Sequence, residues 1–242
     1  MPYIRSVCKA GRTKEICKYY TKRYHPRKEK RQPKTKKTTE KQQAINDRYL
    51  ERKLTQIMNA NFDETSWYLT FTYKKEKRPD KELLKVHVRE LLKKMRKVYK
   101  EEDRELKYIE TAEVGERGAV HIHMIINDVD IRKIRKLWEE YGFITTKPLD
   151  NSGQYRRLAE YFVKYFQKTR RTDEQIQKKA YNCSRNLVRP KPKKKVINSN
   201  RFRNEIKAPK GWYLDKDSVR EGVTEDGYEY MYYTLVQIHR RI

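Results

Sequence analysis

Two spacings of apolar residues organise the middle of this chain. From about 43 to 60, Ile45, Tyr49, Leu50, Leu54, Ile57 and Met58 recur at helical spacing, which predicts a basic amphipathic helix. The stretch "SWYLTFTYK" switches to a period of two. Trp67, Leu69, Phe71 and Tyr73 fall on one face, with Tyr68, Thr70 and Thr72 on the other. Residues 80–100 return to the helical period, with Leu83, Leu84, Val88, Leu91, Leu92 and Met95 on the buried side. His87 on that helix reads as exposed or locally satisfied rather than as a ligand. "KYIETAEV" (107–114) and "AVHIHMIIND" (119–128) predict a β-hairpin around "GERG", whose glycines supply positive φ. A helix is expected at 130–141, capped by Gly142, then a short strand "FITTK" and a helix at 154–169. The order β-α-β-β-α-β-α predicts an α+β fold, with helices packed on an antiparallel sheet.

The flanks are poorer in apolar residues. "KAGRTKEICKYYTKRY" has room for a short strand. Residues 22–40 are nearly all charged or polar and cannot bury enough surface to offset the entropy of ordering, so they read as flexible. Residues 170–208 are basic and irregular in pattern, with "RPKPKKK" the least structured part, while "GWYLDKD" and "YEYMYYTLVQIH" predict two further strands. The expected division is therefore a basic flexible arm (1–42), a core with its leading basic helix (43–170), a basic irregular segment (171–208) and C-terminal strands joined to the core (209–242).

Charge narrows the partner. Lys and Arg number 60 against 33 Asp and Glu, a net charge of +27. Such an excess repels itself unless a polyanion offsets it, which points to nucleic acid. No run approaches the roughly 20 apolar residues of a membrane-spanning helix, and no apolar signal segment opens the chain. The three cysteines, Cys8, Cys17 and Cys183, make neither a zinc spacing nor a disulfide framework, which fits a reducing cytoplasm.

Candidate chemistry centres on "AVHIHMIIND", which carries two of the five histidines. His121 and His123 share one strand face. Chance alone gives such an i, i+2 pair in about a tenth of sequences with this many histidines, so spacing by itself leaves a structural pair open. A carboxylate in register strengthens the functional reading. If residue 113 pairs with 121, across a loop of residues 115–119, then Glu113 lies beside His121 and Thr111 beside His123. Two imidazole nitrogens and a carboxylate oxygen suit Mg²⁺, Mn²⁺ or Zn²⁺ and leave positions open for a substrate phosphate. Glu116 in the turn is a reserve ligand; Glu110 falls on the opposite face. A Lewis-acidic ion then requires a nucleophile. On the helix 154–169, Tyr161, Lys164 and Tyr165 occupy adjoining positions on one face. Lys164 would favour the phenolate or stabilise charge on a transferring phosphoryl group. With 19 tyrosines in the chain, such a pair also arises from core packing.

Taken in order, "YLTFTY", "EVGERGAVHIHMII" and "YFVKYFQK" resemble the three motifs of rolling-circle replication initiators of the HUH endonuclease superfamily, plasmid and filamentous-phage type. The resemblance runs from about Asn46 to Lys168, and more loosely through "SRNLVRP" at 184–190. It implies an RRM-like antiparallel sheet with the tyrosine helix packed on the histidine face. His121, His123 and Glu113 would hold a divalent metal, Mg²⁺ or Mn²⁺. Tyr161 would attack a single-stranded origin phosphate, nicking the strand to leave a 5′-phosphotyrosine intermediate and a free 3′-OH, and Tyr165 would make the terminating cleavage. Thr70 and Thr72 on the polar face of the first strand, with Lys168, are candidate DNA contacts, and the helix 43–60, the arm and 185–195 are candidates for the DNA backbone. With no GxxxxGK[ST] motif in the sequence, strand opening would fall to a host helicase and synthesis to a host polymerase, in the cytoplasm of a bacterial host. Two alternatives remain: a single-strand transposase with the same site, and an RRM-like single-stranded nucleic-acid-binding module without catalysis, in which Tyr68 and the tyrosine helix stack or pack.

Overall fold

A computed structural model describes residues 2–21, 38–115, 118–169, 175–201, 205–224 and 227–238. The chain divides into two compact units. One joins Met1–Ala60 to Arg189–Ile242; the other is the contiguous stretch Asn61–Val188.

The contiguous unit contains strand β3 (Trp67–Tyr73), helix α2 (Lys81–Glu101), strands β4 (Tyr108–Val114) and β5 (Val120–Ile126), helix α3 (Ile131–Lys136), strand β6 (Gly142–Pro148), helix α4 (Arg156–Thr169) and the two-residue strand β7 (Asn182–Cys183). The elements follow the expected order, and the fold is α+β as expected. The sheet is antiparallel in the order β6-β3-β5-β4-β7. Counting only the unit's first four strands, that is 4-1-3-2, the arrangement of a βαββαβ unit.

Period-two patterning explains the layering. Leu69, Phe71, Tyr73, Ala112, Val120, Ile122, Met124 and Ile126 all point to one face and form the buried core with Leu84, Leu91, Leu92 and Met95 of α2 and Ile134 of α3. Trp138 closes this core, its ring edge-on to Phe71 at 5.2 Å and to Tyr73 at 4.8 Å. Asp80 caps α2 by accepting from the Leu83 amide, and that places Leu83 in the exposed first turn rather than on the buried side. Helix α3 is shorter than the expected 130–141, because the chain beyond Lys136 tightens into turns that end at Gly142. Gly142 is required by proximity rather than by φ: a Cβ there would fall 1.9 Å from the Thr72 carbonyl oxygen.

The other unit holds strands β1 (Tyr3–Ala10) and β2 (Thr13–Tyr19), helix α1 (Glu40–Asn61), and strands β8 (Lys193–Ile197), β9 (Trp212–Val223) and β10 (Glu229–Gln237). They form one antiparallel sheet in the order β8-β1-β2-β10-β9. Helix α1 covers one face of it. Arg52 pairs with Glu15, Gln56 donates to the same carboxylate, and Asn59 donates to Thr13 Oγ1. The Arg52 guanidinium also lies over the Tyr232 ring.

The expectations for the flanks fare differently. Residues 3–19 form a complete hairpin rather than part of a flexible arm, because Ile4, Ser6, Cys8 and Ala10 alternate into the face that α1 covers. Of the expected flexible stretch 22–40, residues 22–37 lie outside the described residues, and α1 begins at Glu40. Lys193–Ile197, inside the segment read as irregular, is the edge strand β8: its backbone pairs with β1 whatever the lysine side chains prefer. The C-terminal strands are present, but β10 pairs with β2 and not with the histidine sheet. Helix α1 likewise belongs to this unit, and its first half leaves Ile45 and Tyr49 exposed.

Candidate active site

The expected hairpin register is observed. Glu113 pairs with His121 and Thr111 with His123, and the turn spans residues 115–119. Only Gly118 among the described residues of that turn takes positive φ (+68°). Gly115 instead brings bare backbone against His121, where a Cβ would lie 3.7 Å from the ring's Nε2. Glu116 lies outside the described residues.

Strand β3 runs along the other side of β5, with Thr70 opposite His123 and Thr72 opposite His121. The two hydroxyls face the imidazoles. Thr72 Oγ1 is 3.0 Å from His121 Nδ1, and Thr70 Oγ1 is 3.3 Å from His123 Nδ1. These threonines, expected as DNA contacts, stand where they orient the rings. Tyr68 contributes most to His123: its hydroxyl is 2.8 Å from Nδ1, and the two rings are nearly parallel. Sequence reasoning placed Tyr68 only as a stacking or packing residue. The signal that finds it is register, since it sits on the same β3 face as Thr70, one step along toward the tyrosine helix.

With Nδ1 engaged, Nε2 is the nitrogen each ring presents to the site. His123 Nε2 lies 2.8 Å from Glu113 Oε1. That hydrogen bond holds the Glu113 carboxyl below the usual carboxylate range, against the opposing effect of burial. Burial pushes His121 down, and the neighbouring His123 and the Arg78 guanidinium add to it.

Helix α4 lies over this face. Ala159, Phe162 and Val163 are buried, and Phe162 packs against the Tyr68 ring. One residue before Phe162, Tyr161 turns its hydroxyl to the site, 3.2 Å from His123 Nε2 and 3.3 Å from Glu113 Oε1. Its ring meets His123 edge-on at 5.2 Å and is 41 % exposed. Burial of the hydroxyl, then the charges of Tyr68 and Glu113, push the phenol far above its ordinary value.

The remaining candidates are not brought into this cluster. Tyr165 is half-buried and packs against the apolar core. Lys164 and Lys168 are exposed on α4. Glu110 is buried on the opposite face, where Asn182 and Gln177 donate to it; burial raises its carboxyl above the ordinary value. His87 on α2 sits 3.1 Å from the Tyr73 hydroxyl, a locally satisfied histidine as expected.

In donor chemistry, His121, His123 and Glu113 suit a divalent cation: two neutral-capable imidazoles with Nδ1 held, and one carboxylate kept ionised. The side chains are not gathered around one point. His121 and His123 have ring centroids 6.3 Å apart, and among the described residues no three His, Cys, Asp or Glu groups converge closely enough to hold an ion.

Residues 66–170 match the family of replication-associated protein ORF2/G2P. The matched span opens one residue before β3 and closes one residue after α4, so Tyr68, Thr70, Thr72, Glu113, His121, His123 and Tyr161 all fall within it. The match supports a replication initiator role and, with it, DNA as the partner. Searches of curated proteins and of solved structures returned no match. Among the described residues, no helix is long and apolar enough to cross a membrane.

Proposed function

We propose that this chain initiates rolling-circle replication by nicking and rejoining a single-stranded DNA origin through Tyr161. The observation that carries the reading is the position of one oxygen: Tyr161 Oη lies at hydrogen-bond distance from both His123 Nε2 and Glu113 Oε1, on a helix face that solvent reaches. A core tyrosine has no need of two such polar neighbours and an open side.

In this reading Tyr161 Oη attacks a backbone phosphorus. A phosphorus–oxygen bond forms to the tyrosine, and the bond to the 3′ oxygen breaks. The 3′ oxygen leaves as a hydroxyl, and the 5′ end stays on the enzyme. The nearest acceptors for the phenol proton are His123 Nε2 and Glu113 Oε1. His121, His123 and Glu113 are the residues that would hold Mg²⁺ or Mn²⁺, and a bound ion supplies polarisation of a phosphoryl oxygen. Thr72, Tyr68 and Thr70 fix the rings by their Nδ1 atoms. The phosphotyrosine conserves the energy of the phosphodiester, so a returning 3′-OH reverses the step and joins the strand. Host helicase and polymerase would supply strand opening and synthesis in a bacterial cytoplasm.

The test is to incubate the protein with Mn²⁺ and a stem-loop single strand from its own replicon. A covalent protein–DNA adduct is expected. It disappears on chelation and in His121→Ala, while DNA binding by that variant stays largely intact. Normal cutting by His121→Ala overturns the metal assignment; no adduct with any candidate origin leaves the non-catalytic single-strand-binding module as the reading. Tyr68→Phe keeps the ring and removes the hydroxyl that orients His123. Its cleavage rate or metal affinity is expected to fall about 10–100-fold, as when an outer partner of a ligating histidine is lost. A rate equal to the parent's removes Tyr68 from the site.

A further inference from the structure

The sheet of the unit that joins Met1–Ala60 to Arg189–Ile242 has a second face, opposite α1, and its charge is uneven. On β8, β1 and β2 the charged residues of this face are Lys193, Lys195, Arg5, Lys9, Lys14 and Lys18, all cations. The register sets them directly against one another. Lys195 pairs with Arg5 and Arg5 with Lys18, a row of three across adjacent strands, and Lys9 pairs with Lys14. The acids of this face, Glu221 and Glu229, stand at the far side on β9 and β10.

Like charges directly opposite on neighbouring strands destabilise a sheet. Burial lowers the Lys18 ammonium, and the Arg5 charge opposite it lowers it further. On these three strands no acid interleaves on this face to relieve the rows. Adjacent strands lie about 4.8 Å apart and residues about 3.3 Å along a strand, so the six charges occupy a patch of roughly 10 by 13 Å.

We propose that this face binds the phosphate backbone of duplex DNA, a role separate from the single-strand chemistry of the Tyr161 site. Charge complementarity selects a polyanion, and the aromatics choose between the two forms of DNA. Single-strand binding surfaces offer open ring faces for bases to stack on. Here Tyr233 is buried, the Lys14 ammonium covers the half-buried Trp212 ring at 4.1 Å, and the Lys18 ammonium lies 5.8 Å over Tyr233. The cations stand over these two rings, Tyr3 and Tyr20 on the same face pack edge-on against each other, and the apolar residues among the cations, Ile16, Met231 and Leu235, are buried. A duplex, with one charge per about 1.7 Å of axis, matches that density better than a single strand at half of it.

The test measures binding of a short labelled duplex of arbitrary sequence, and of one of its strands, to the full chain over a range of salt concentrations. The row variant Arg5→Gln, Lys18→Gln, Lys195→Gln is compared with Lys93→Gln, Lys97→Gln, Lys100→Gln on the exposed side of α2. The row variant is expected to lower the duplex slope of log affinity against log salt by about 2 to 3, at roughly 0.9 for each phosphate no longer neutralised. The α2 variant changes it little. Arg5→Lys keeps the slope. The row variant melts no lower than the parent, because it relieves repulsion, and this excludes weakened binding through unfolding. Equal reductions in the two triple variants overturn the proposal, as does a reduction confined to the single strand. The comparison does not depend on nicking: if the parent forms no adduct with a stem-loop origin, the Tyr161 reading fails and the slopes still decide this one.

Discussion

Tyr161→Phe is expected to abolish the covalent adduct, lowering its rate of formation by at least about a thousandfold, the scale on which losing a nucleophile acts. The substitution removes one oxygen. Its two polar contacts, at 3.2 and 3.3 Å, are long, and the ring is 41 % exposed, so folding loses no more than about 1 kcal/mol. The His123–Glu113 hydrogen bond at 2.8 Å does not pass through Tyr161 and should persist. The expected signature is therefore an inert protein with nearly unchanged melting temperature and single-strand affinity. Tyr165→Phe, altering a ring packed on the core, is expected to retain the first adduct. An adduct that survives Tyr161→Phe and vanishes in Tyr165→Phe would reverse the two roles and sink the assignment.

The largest effect on stability is expected at Phe71→Ala. Phe71 is fully buried between Ile122 and Ile144 on its neighbouring strands, with Trp138 edge-on to its ring. Removing it forfeits the transfer free energy and leaves a cavity that Trp138 cannot fill without surrendering its hydrogen bond to the Thr72 carbonyl. The cost is about 3–5 kcal/mol, which lowers the melting temperature of the Asn61–Val188 unit by roughly 10 °C or more. Thr70 and Thr72 flank Phe71 on β3 and hold the two imidazoles, so a loosened strand should also slow cleavage. Phe143→Ala, on the next strand but 61 % exposed, is the contrast, with a change within about 0.5 kcal/mol. Equal melting of the two variants would show that the core is not where the patterning places it.

The elements most readable from sequence were those whose pattern and partner are both local. The hairpin of β4 and β5 was legible, and the register considered for it, residue 113 opposite 121 across a five-residue turn, is the one observed; it buries Ile122 and Met124 on one face and brings Glu113 beside His121 on the other. Strand β3 was equally plain from its alternation. That Tyr161 faces His123 was expected from the resemblance, which places the tyrosine helix on the histidine face; helical spacing alone put Tyr161, Lys164 and Tyr165 on adjoining positions without choosing among them. Tyr68 was overlooked as a partner of His123 because its role depends on the β3–β5 pairing, which joins residues 55 apart. Thr70 and Thr72 were placed on the right face, but their contact with the imidazoles was not foreseen, since a hydroxyl beside a site looks the same from sequence whether it meets a phosphate or an imidazole. The sheet of the other unit was hardest to read. Its five strands come from three stretches, 3–19, 193–197 and 212–237, and nothing local marks Lys193–Ile197 as a partner of β1.

That last arrangement sets an order of assembly. The Asn61–Val188 unit is continuous and has all its strands once residue 183 is made. The sheet of the other unit must wait, because β2, synthesised near the start, finds its β10 partner only when residues 229–237 emerge. Until then the β2 edge that faces β10 has no mate. A nascent chain that stalls before residue 229 should thus carry a finished Asn61–Val188 unit together with an unclosed sheet, and exposed strand edges of that kind invite aggregation and chaperone capture.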